Sequence, residues 1–289
     1  MEEFKQNGIS ALENLTKAQL NKLIHEANIQ YHSYKRNKEA PILSDAEFDI
    51  AKDYLERKYP DASALNEVGA ELIDKQKVKL PINMPSMNKI KPSTDALKTW
   101  KHKYKGDYVL SCKLDGVSGL YYTMNNEYKL YTRGNGTHGQ DVSHLLKSIS
   151  LPKLENIMVR GEFIVTKSIF DSKYKDEFAN IRNMVAGIIN RKTIDKKAKY
   201  VDFVAYEVIE PVLKPSEQMD FLKKHGFNTV QYEPKENVTN EILSDILMDW
   251  RNNYAYEIDG IIVTNNKMYS RLEGNPDHAF AFKMVISDQ

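Results

Sequence analysis

The sequence predicts an α+β fold: a small helical domain over 1–76, followed by an antiparallel-sheet domain over 77–289. Three observations carry this. Apolar residues recur at helical spacing in the first part of the chain. From about Lys77 they fall instead into short runs bounded by turn residues, the mark of strands. At 289 residues, with 41% hydrophobic and 28% charged residues, the chain can bury a sizeable core in one large or two ordinary domains. No stretch of about 18 apolar residues occurs, and the opening MEEFKQNGIS is acidic and polar, so an intracellular protein with no membrane partner is expected. The lone cysteine, Cys112, excludes an internal disulfide and any cysteine-rich zinc module. A net charge of +1 gives no global attraction to nucleic acid, although Lys101 to Lys105 and Arg191 to Lys199 are basic clusters.

The first helix is expected from Thr16 to Ile29, with Leu20, Leu23, Ile24 and Ala27 on one face. Thr16 is its N-cap, and Gln19 closes a capping box. Ser44 and Glu47 form a second capping box, opening a helix through Phe48, Ile50, Ala51, Tyr54 and Leu55 that Pro60 stops. Between the two lie Tyr31, His32, Ser33 and Tyr34, and then a polar loop, 35–41. Asp45 and Asp49 suit a helix start simply as dipole complements. Alternatively, Tyr31, His32, Asp45 and Asp49 form a polar and aromatic cluster facing a ligand.

In the second part, strands are expected near 108–112, 118–124, 127–132, 157–165, 201–208, 257–263 and 279–286. Asn125-Asn126 suits a hairpin turn between two of them. Helical stretches are expected near 94–104, 141–149, 167–190, 216–224 and 239–253.

Lys113 stands at the junction of an apolar strand and a tight turn, Leu114-Asp115-Gly116. An amine held there becomes a covalent nucleophile if burial or neighbouring cations depress its pKa. Taken alone, such a lysine is more often a solvated surface charge. The glycine-rich loop 132–141 allows close backbone approach, with Arg133 at its edge suited to a phosphate. Arg160 and Glu162 interrupt an apolar strand, read either as a pair on an exposed face or as buried functional charges. Arg182 and Asn183 fall on the polar side of a helical stretch, and Tyr206 is most simply core. Asp259 and Lys283 each sit in an apolar strand. Two lysines, an arginine and two acids able to share one cleft are what nucleotidyl transfer requires: a nucleophile, cations on the phosphate, and carboxylates for a metal or ribose.

These stretches occur in one order along the chain: Lys113-x-Asp115-Gly116, Thr132 to Asp141, Val159-Arg160-Gly161-Glu162, Phe178 to Asn183, Asp259-Gly260-Ile261-Ile262 and Ala281-Phe282-Lys283. Together they resemble the ordered motifs of the NAD+-dependent DNA ligases. Tyr31-His32 and Ser44 to Asp49 resemble that family's helical module for nicotinamide mononucleotide, and Asn83 to Met87 resembles the segment joining it to the catalytic domain. The resemblance implies an antiparallel nucleotidyltransferase domain of the ATP-grasp-like ligase kind. It also implies a ping-pong reaction in which Lys113 attacks NAD+, releases the mononucleotide and becomes lysyl-AMP.

By the same resemblance, Lys113, Asp115, Asp259 and Lys283 are catalytic. Arg133, Arg182 and Lys283 steady phosphate charge, Asp115 and Glu162 hold ribose hydroxyls, and Tyr206 and Ile262 sandwich the adenine. Ser86, Met87 and Ser111 join the cofactor-binding set, and Tyr31, His32, Asp45 and Asp49 grip the mononucleotide. The cofactors implied are NAD+ and Mg2+, the latter at Glu162 and Asp259. The partners are nicked duplex DNA and either a C-terminal OB-fold and helix-hairpin-helix region or a second ligase subunit, the chain being a monomer by itself.

The sequence also departs from that pattern. Ser111 stands where the family has Glu, and Thr264 where it has Lys, two charges that lie at the adenine edge in the family. Their joint loss would leave no unpaired buried charge. Asn135, Gln140, Asn190 and Phe48 are further departures, and 274–278 lacks an expected arginine and tryptophan. A divergent member, viral or phage-encoded, is expected. Self-adenylation without efficient nick sealing is expected, the sealing modules being supplied elsewhere. The rival readings are an ATP- or GTP-using nucleotidyltransferase, which would lack the helical module, and a non-catalytic binding subunit.

Overall fold

The computed structural model describes residues 9–37, 43, 45–60, 62, 77–92, 94–272 and 274–283, with side chains for all of these except 9, 28–37, 45 and 46. Two compact units emerge, one within Met1–Gln76 and one within Lys77–Val285. Among the described residues, no helix is long and apolar enough to cross a membrane.

The first unit holds α1 (Ile9–Glu13), α2 (Lys17–Asn37) and α3 (Asp45–Lys58). Leu12, Leu20, Ile24, Ala51 and Leu55 are fully buried and form its core. The expected capping box at Thr16 is present: the Thr16 N–H donates to Gln19 Oε1 at 2.9 Å, and the Gln19 N–H to Thr16 Oγ1 at 3.2 Å. α2 runs on past the expected end at Ile29, so Tyr31 and His32 stand on the helix rather than after it. No Gly or Pro occurs between Ile29 and Asn37 to stop it. The second capping box rests on Ser44, outside the described residues. At its far end, α3 stops before Pro60 as expected.

In the second unit the chain order is β1 (Lys77–Lys79), β2 (Lys89–Ile90), α4 (Ala96–Lys103), β3 (Tyr108–Leu114), β4 (Val117–Tyr122), β5 (Lys129–Thr132) and β6 (His138–Gln140). Then come β7 (Met158–Ile164), α5 (Ile181–Ile189), β8 (Asp202–Glu210), α6 (Pro215–Lys224), β9 (Tyr232–Lys235), α7 (Asn240–Asn253), β10 (Ile258–Asn265) and β11 (Ala279–Phe282). They form a five-stranded sheet in the order β2-β11-β10-β3-β9, a four-stranded sheet in the order β5-β4-β7-β8, and a β1-β6 ribbon. Pairing is antiparallel except between β2 and β11. The fold class is therefore α+β with antiparallel sheets, as the sequence predicts. Asn125 and Asn126 have φ of 58° and 61°, as a primed two-residue hairpin turn between β4 and β5 requires.

Several expectations need correction. The stretch 167–190 is not one helix: a turn at Lys167–Ile169 and a wide turn at Phe170–Tyr174 precede α5. Asn180 sets the break, since its extended backbone and its Oδ1, accepting the Asn183 N–H at 2.8 Å, make it an N-cap. The stretch 141–149 contains only a short 3-10 turn, Ser143–Lys147. Strands β1, β2, β6 and β9 went unread because they are short and largely polar, with no apolar alternation to show them.

The core of the second unit fills the space around the two larger sheets, with Leu110, Phe163, Val204, Ile261 and Phe282 fully buried. On β3 the residues alternate, so Val109, Ser111 and Lys113 share one face while Leu110, Cys112 and Leu114 share the other.

Candidate functional site

A cleft of about 820 Å³ lies in the second unit, lined on one side by β3 and β10 and on the other by β4, β7 and β8. Lys113 stands at one end. It belongs to β3 itself, paired with Gly260 of β10, and not to the turn that follows. Register slips between Ile258 and Gly260, and Asp259 occupies that irregularity. Its carboxylate reaches Lys113 Nζ at 3.3 Å through Oδ1 and Lys283 Nζ at 3.3 Å through Oδ2. Burial would push Asp259 up, but the ammonium groups of Lys113 and Lys283, with the Arg182 guanidinium, outweigh it and hold the carboxyl at about 2. Gly260 permits this convergence, since a Cβ there would lie 2.6 Å from the Phe282 carbonyl oxygen.

The turn after Lys113 is pinned against β7. A Cβ on Gly116 would stand 2.2 Å from the Phe163 carbonyl oxygen, so only glycine lets the chain pass so closely. The Gly116 N–H donates to Glu162 Oε2 at 3.2 Å. Burial pushes the Glu162 carboxyl up to about 7, against the opposing pull of Lys113, the Gly116 N–H and Arg182. Asp115 is ion-paired with Arg182, which the Asn180 cap places in the first turn of α5.

Across the cleft, two guanidinium groups are fastened to the 84–85 backbone. Arg133 Nε donates to the Met84 carbonyl at 2.8 Å, and Arg160 Nη1 to the Pro85 carbonyl at 3.2 Å. Arg160 also packs over the Tyr206 ring at 5.7 Å and donates from Nη2 to Ser118 Oγ at 3.4 Å, an oxygen shared with the Tyr206 hydroxyl at 2.9 Å. Of the two readings open for Arg160 and Glu162, the buried one holds, each being 8% exposed. Tyr206 packs against the core and also lines the cleft. Ser111 and Ile262 face each other across the β3–β10 ladder, and both line the cleft, as do Ser86 and Met87. The β10–β11 connection crosses the mouth, where Arg271 pairs with Glu207 and donates from Nη2 to the Asn83 carbonyl at 3.0 Å.

Of the residues singled out in the sequence, Lys113, Ser86, Met87, Ser111, Arg133, Glu162, Tyr206 and Ile262 line this cleft. Asp259 and Lys283 converge on the Lys113 amine, and Asp115 pairs with Arg182. Asp49 lies half-buried on α3 of the first unit, while the side chains of Tyr31, His32 and Asp45 fall outside the described residues. Arg160 carries a role the sequence reading missed, although its signal was there: a cation inside an apolar strand needs a partner. Arg271 gave no such signal. No group of three or more His, Cys, Asp or Glu side chains converges as a metal site among the described residues. Glu162 and Asp259 do not by themselves form a closed cage.

Replacing Arg160 with alanine leaves the Pro85 carbonyl without its donor and removes the cation packed over the Tyr206 ring. Thermal or urea unfolding of Arg160→Ala is expected to show a loss of about 3 kcal/mol. A loss below about 0.5 kcal/mol would mean the guanidinium contributes no net stability.

A family model described as the NAD-dependent DNA ligase adenylation domain matches residues 76–285. A DNA ligase of Acanthamoeba polyphaga mimivirus is 44% identical over 270 residues, covering 90% of this chain and 42% of the relative. A DNA ligase of Clostridioides difficile (strain 630) is 30% identical over 305 residues, covering 92% of this chain and 45% of the relative. The chain thus spans less than half the length of these relatives. Among solved structures, one from a structure-function analysis of Lig E DNA ligases overlays with a TM-score of 0.47 at 14% identity, covering 71% of this chain and 69% of the other.

Proposed function

The chain belongs to the family of NAD-dependent DNA ligase adenylation domains, and from that premise we propose that Lys113 takes the adenylyl group of NAD+. The observation that carries the reading is the Lys113–Asp259–Lys283 triangle at the end of the cleft. The amine attacks the α-phosphorus, a P–N bond forms, and the bond to the mononucleotide phosphate breaks. Its electron pair leaves with nicotinamide mononucleotide, and the amine gives up a proton. Asp259, held at about 2, is too weak a base to take that proton and positions the amine instead. Lys283, Arg133 and Arg182 supply positive charge for the phosphates, which accumulate negative charge as the bond breaks. Asp115 and Glu162 are assigned to the ribose hydroxyls, and Tyr206 and Ile262 to the two faces of the adenine.

Glu162 and Asp259 fit the way Mg2+ is usually held, by one or two carboxylates together with phosphate oxygens and water. There the ion would offset phosphate charge. In the first unit, Tyr31, His32, Asp45 and Asp49 are proposed to grip the mononucleotide. The adenylyl group is then passed to the 5′-phosphate of a nicked duplex, with sealing domains or a second subunit bringing that DNA.

Intact mass spectrometry after incubation with Mg2+ and either NAD+ or ATP tests the adenylation step. An AMP adduct is expected with NAD+ and not with ATP. No adduct with NAD+ would refute the reading, and an adduct with ATP alone would move the chain to the ATP-using enzymes.

A further inference from the structure

Beyond Lys113, the β3 and β10 positions that face the cleft carry no charge. Along β3 the cleft-facing residues run Lys113, Ser111, Val109, each step carrying the wall about 7 Å further from the nucleophile. With the α-phosphorus at Lys113 and the ribose next to it, the purine lies level with Ser111 and Ile262. Tyr206 faces it from β8. The edge of a purine farthest from its sugar is that of the six-membered ring. That edge therefore points along β3 toward Ser111 and Thr264, which are diagonal neighbours because Thr264 pairs with Val109.

Both residues are short and neutral. Past them the lining of the cleft includes Val109, Val208, Leu213, Met219 and Met268, an apolar annex with Lys267 at its edge. The amide of Gln218, which also lines that end, is committed: Nε2 donates to the Leu213 carbonyl at 2.9 Å, and Oε1 accepts from the Val208 N–H at 3.0 Å. An acceptor-only carboxylate or a donor-only ammonium at the base edge would demand a matching partner, whereas a hydroxyl both donates and accepts. A purine whose 6-amino group carries a substituent keeps one N–H for Ser111 or Thr264 and leaves no buried charge unpaired. At about 820 Å³, the cleft is near the top of the usual range for small-ligand pockets, about 300–1,000 Å³.

We infer that Ser111 and Thr264 make this chain accept dinucleotides whose purine bears an apolar group on the 6-amino nitrogen, with that group seated in the Val109–Met219 annex. The inference rests on the proposed adenylation reading and specifies which bases that site admits. The transfer is unchanged: the amine displaces nicotinamide mononucleotide from the α-phosphorus, and only the base differs.

The test uses the full chain with Mg2+ and either NAD+ or N6-benzyl-NAD+, reading the initial rate of the covalent adduct by intact mass. The wild-type rate with the benzyl analogue is expected within about tenfold of that with NAD+, the span of one modest contact. Thr264→Phe, or Val109→Phe deeper in the annex, is expected to lower the analogue-to-NAD+ ratio by about tenfold or more by filling the space. An adduct with NAD+ but none with the analogue overturns the inference and leaves the adenylation reading standing. A ratio unmoved in a folded variant also overturns it, since the benzyl group would then sit elsewhere. No adduct with either dinucleotide removes both. The wild-type comparison decides the matter even if neither variant folds.

Discussion

Replacing Lys113 with alanine is expected to abolish the covalent adduct, a loss of roughly 10,000-fold or more, as removal of a catalytic nucleophile typically produces. The replacement also removes one of the two ammonium groups that compensate Asp259, so a folding defect could imitate lost chemistry. Lys113→Arg separates the two. The guanidinium keeps a positive charge beside Asp259 but cannot be deprotonated to attack phosphorus. Both variants should therefore fail to form the adduct, while Lys113→Arg keeps its near-ultraviolet circular dichroism and is still raised in Tm by NAD+. An adduct in either folded variant would place the nucleophile elsewhere.

The second large effect concerns Glu162, whose carboxyl rises from an ordinary 4.5 to about 7 through burial. The folded state binds this proton more tightly than the unfolded chain does. Its contribution to stability is therefore complete below pH 4.5 and falls as the pH climbs toward about 7. The total is on the order of 3 kcal/mol, taken from the shift at about 1.4 kcal/mol per unit. Glu162→Gln keeps an acceptor for the Gly116 N–H without the charge, so it should be more stable than the wild type near pH 8 by up to about 3 kcal/mol. Near pH 4.5 the two should be alike. Urea denaturation at the two pH values checks this, and a variant equally or less stable at pH 8 would mean that the neighbouring Lys113 and Arg182 already offset the buried charge. Asp259 works in the opposite direction: held at about 2, it lends stability that is lost only as the pH falls below the ordinary carboxylate range toward 2.

The sequence disclosed the long, strongly patterned elements, since a helix such as Asn240–Asn253 or a strand such as Met158–Ile164 repeats its signal several times. It also disclosed the change of period near Lys77. It did not disclose β1, β2, β6 or β9, each too short or too polar to alternate. By sequence pattern Lys113 falls just past its strand, because a charge interrupts an apolar run. In the fold, the carboxylate of Asp259 compensates that charge, so the ladder continues through it. Asp259 and Lys283 could be named as functional from their apolar surroundings, but their contact could not. It depends on the register of β10 against β11, which only the folded sheet defines. Arg160 was visible as an anomaly. Its partners, a carbonyl in the 84–85 segment and a tyrosine on another strand, lie far away in sequence.

Residue 113 is held by its neighbours in a hydrogen-bonded sheet, and a strand in that position does not swing. Once it bears a nucleotide, the group is fixed like cargo on a post, free to turn only about the side chain's own bonds. A carrier of this kind delivers nothing. The acceptor's phosphate must be brought to it and turned to face it, so the pace of the second half-reaction would be governed by whatever grips and moves the nucleic acid.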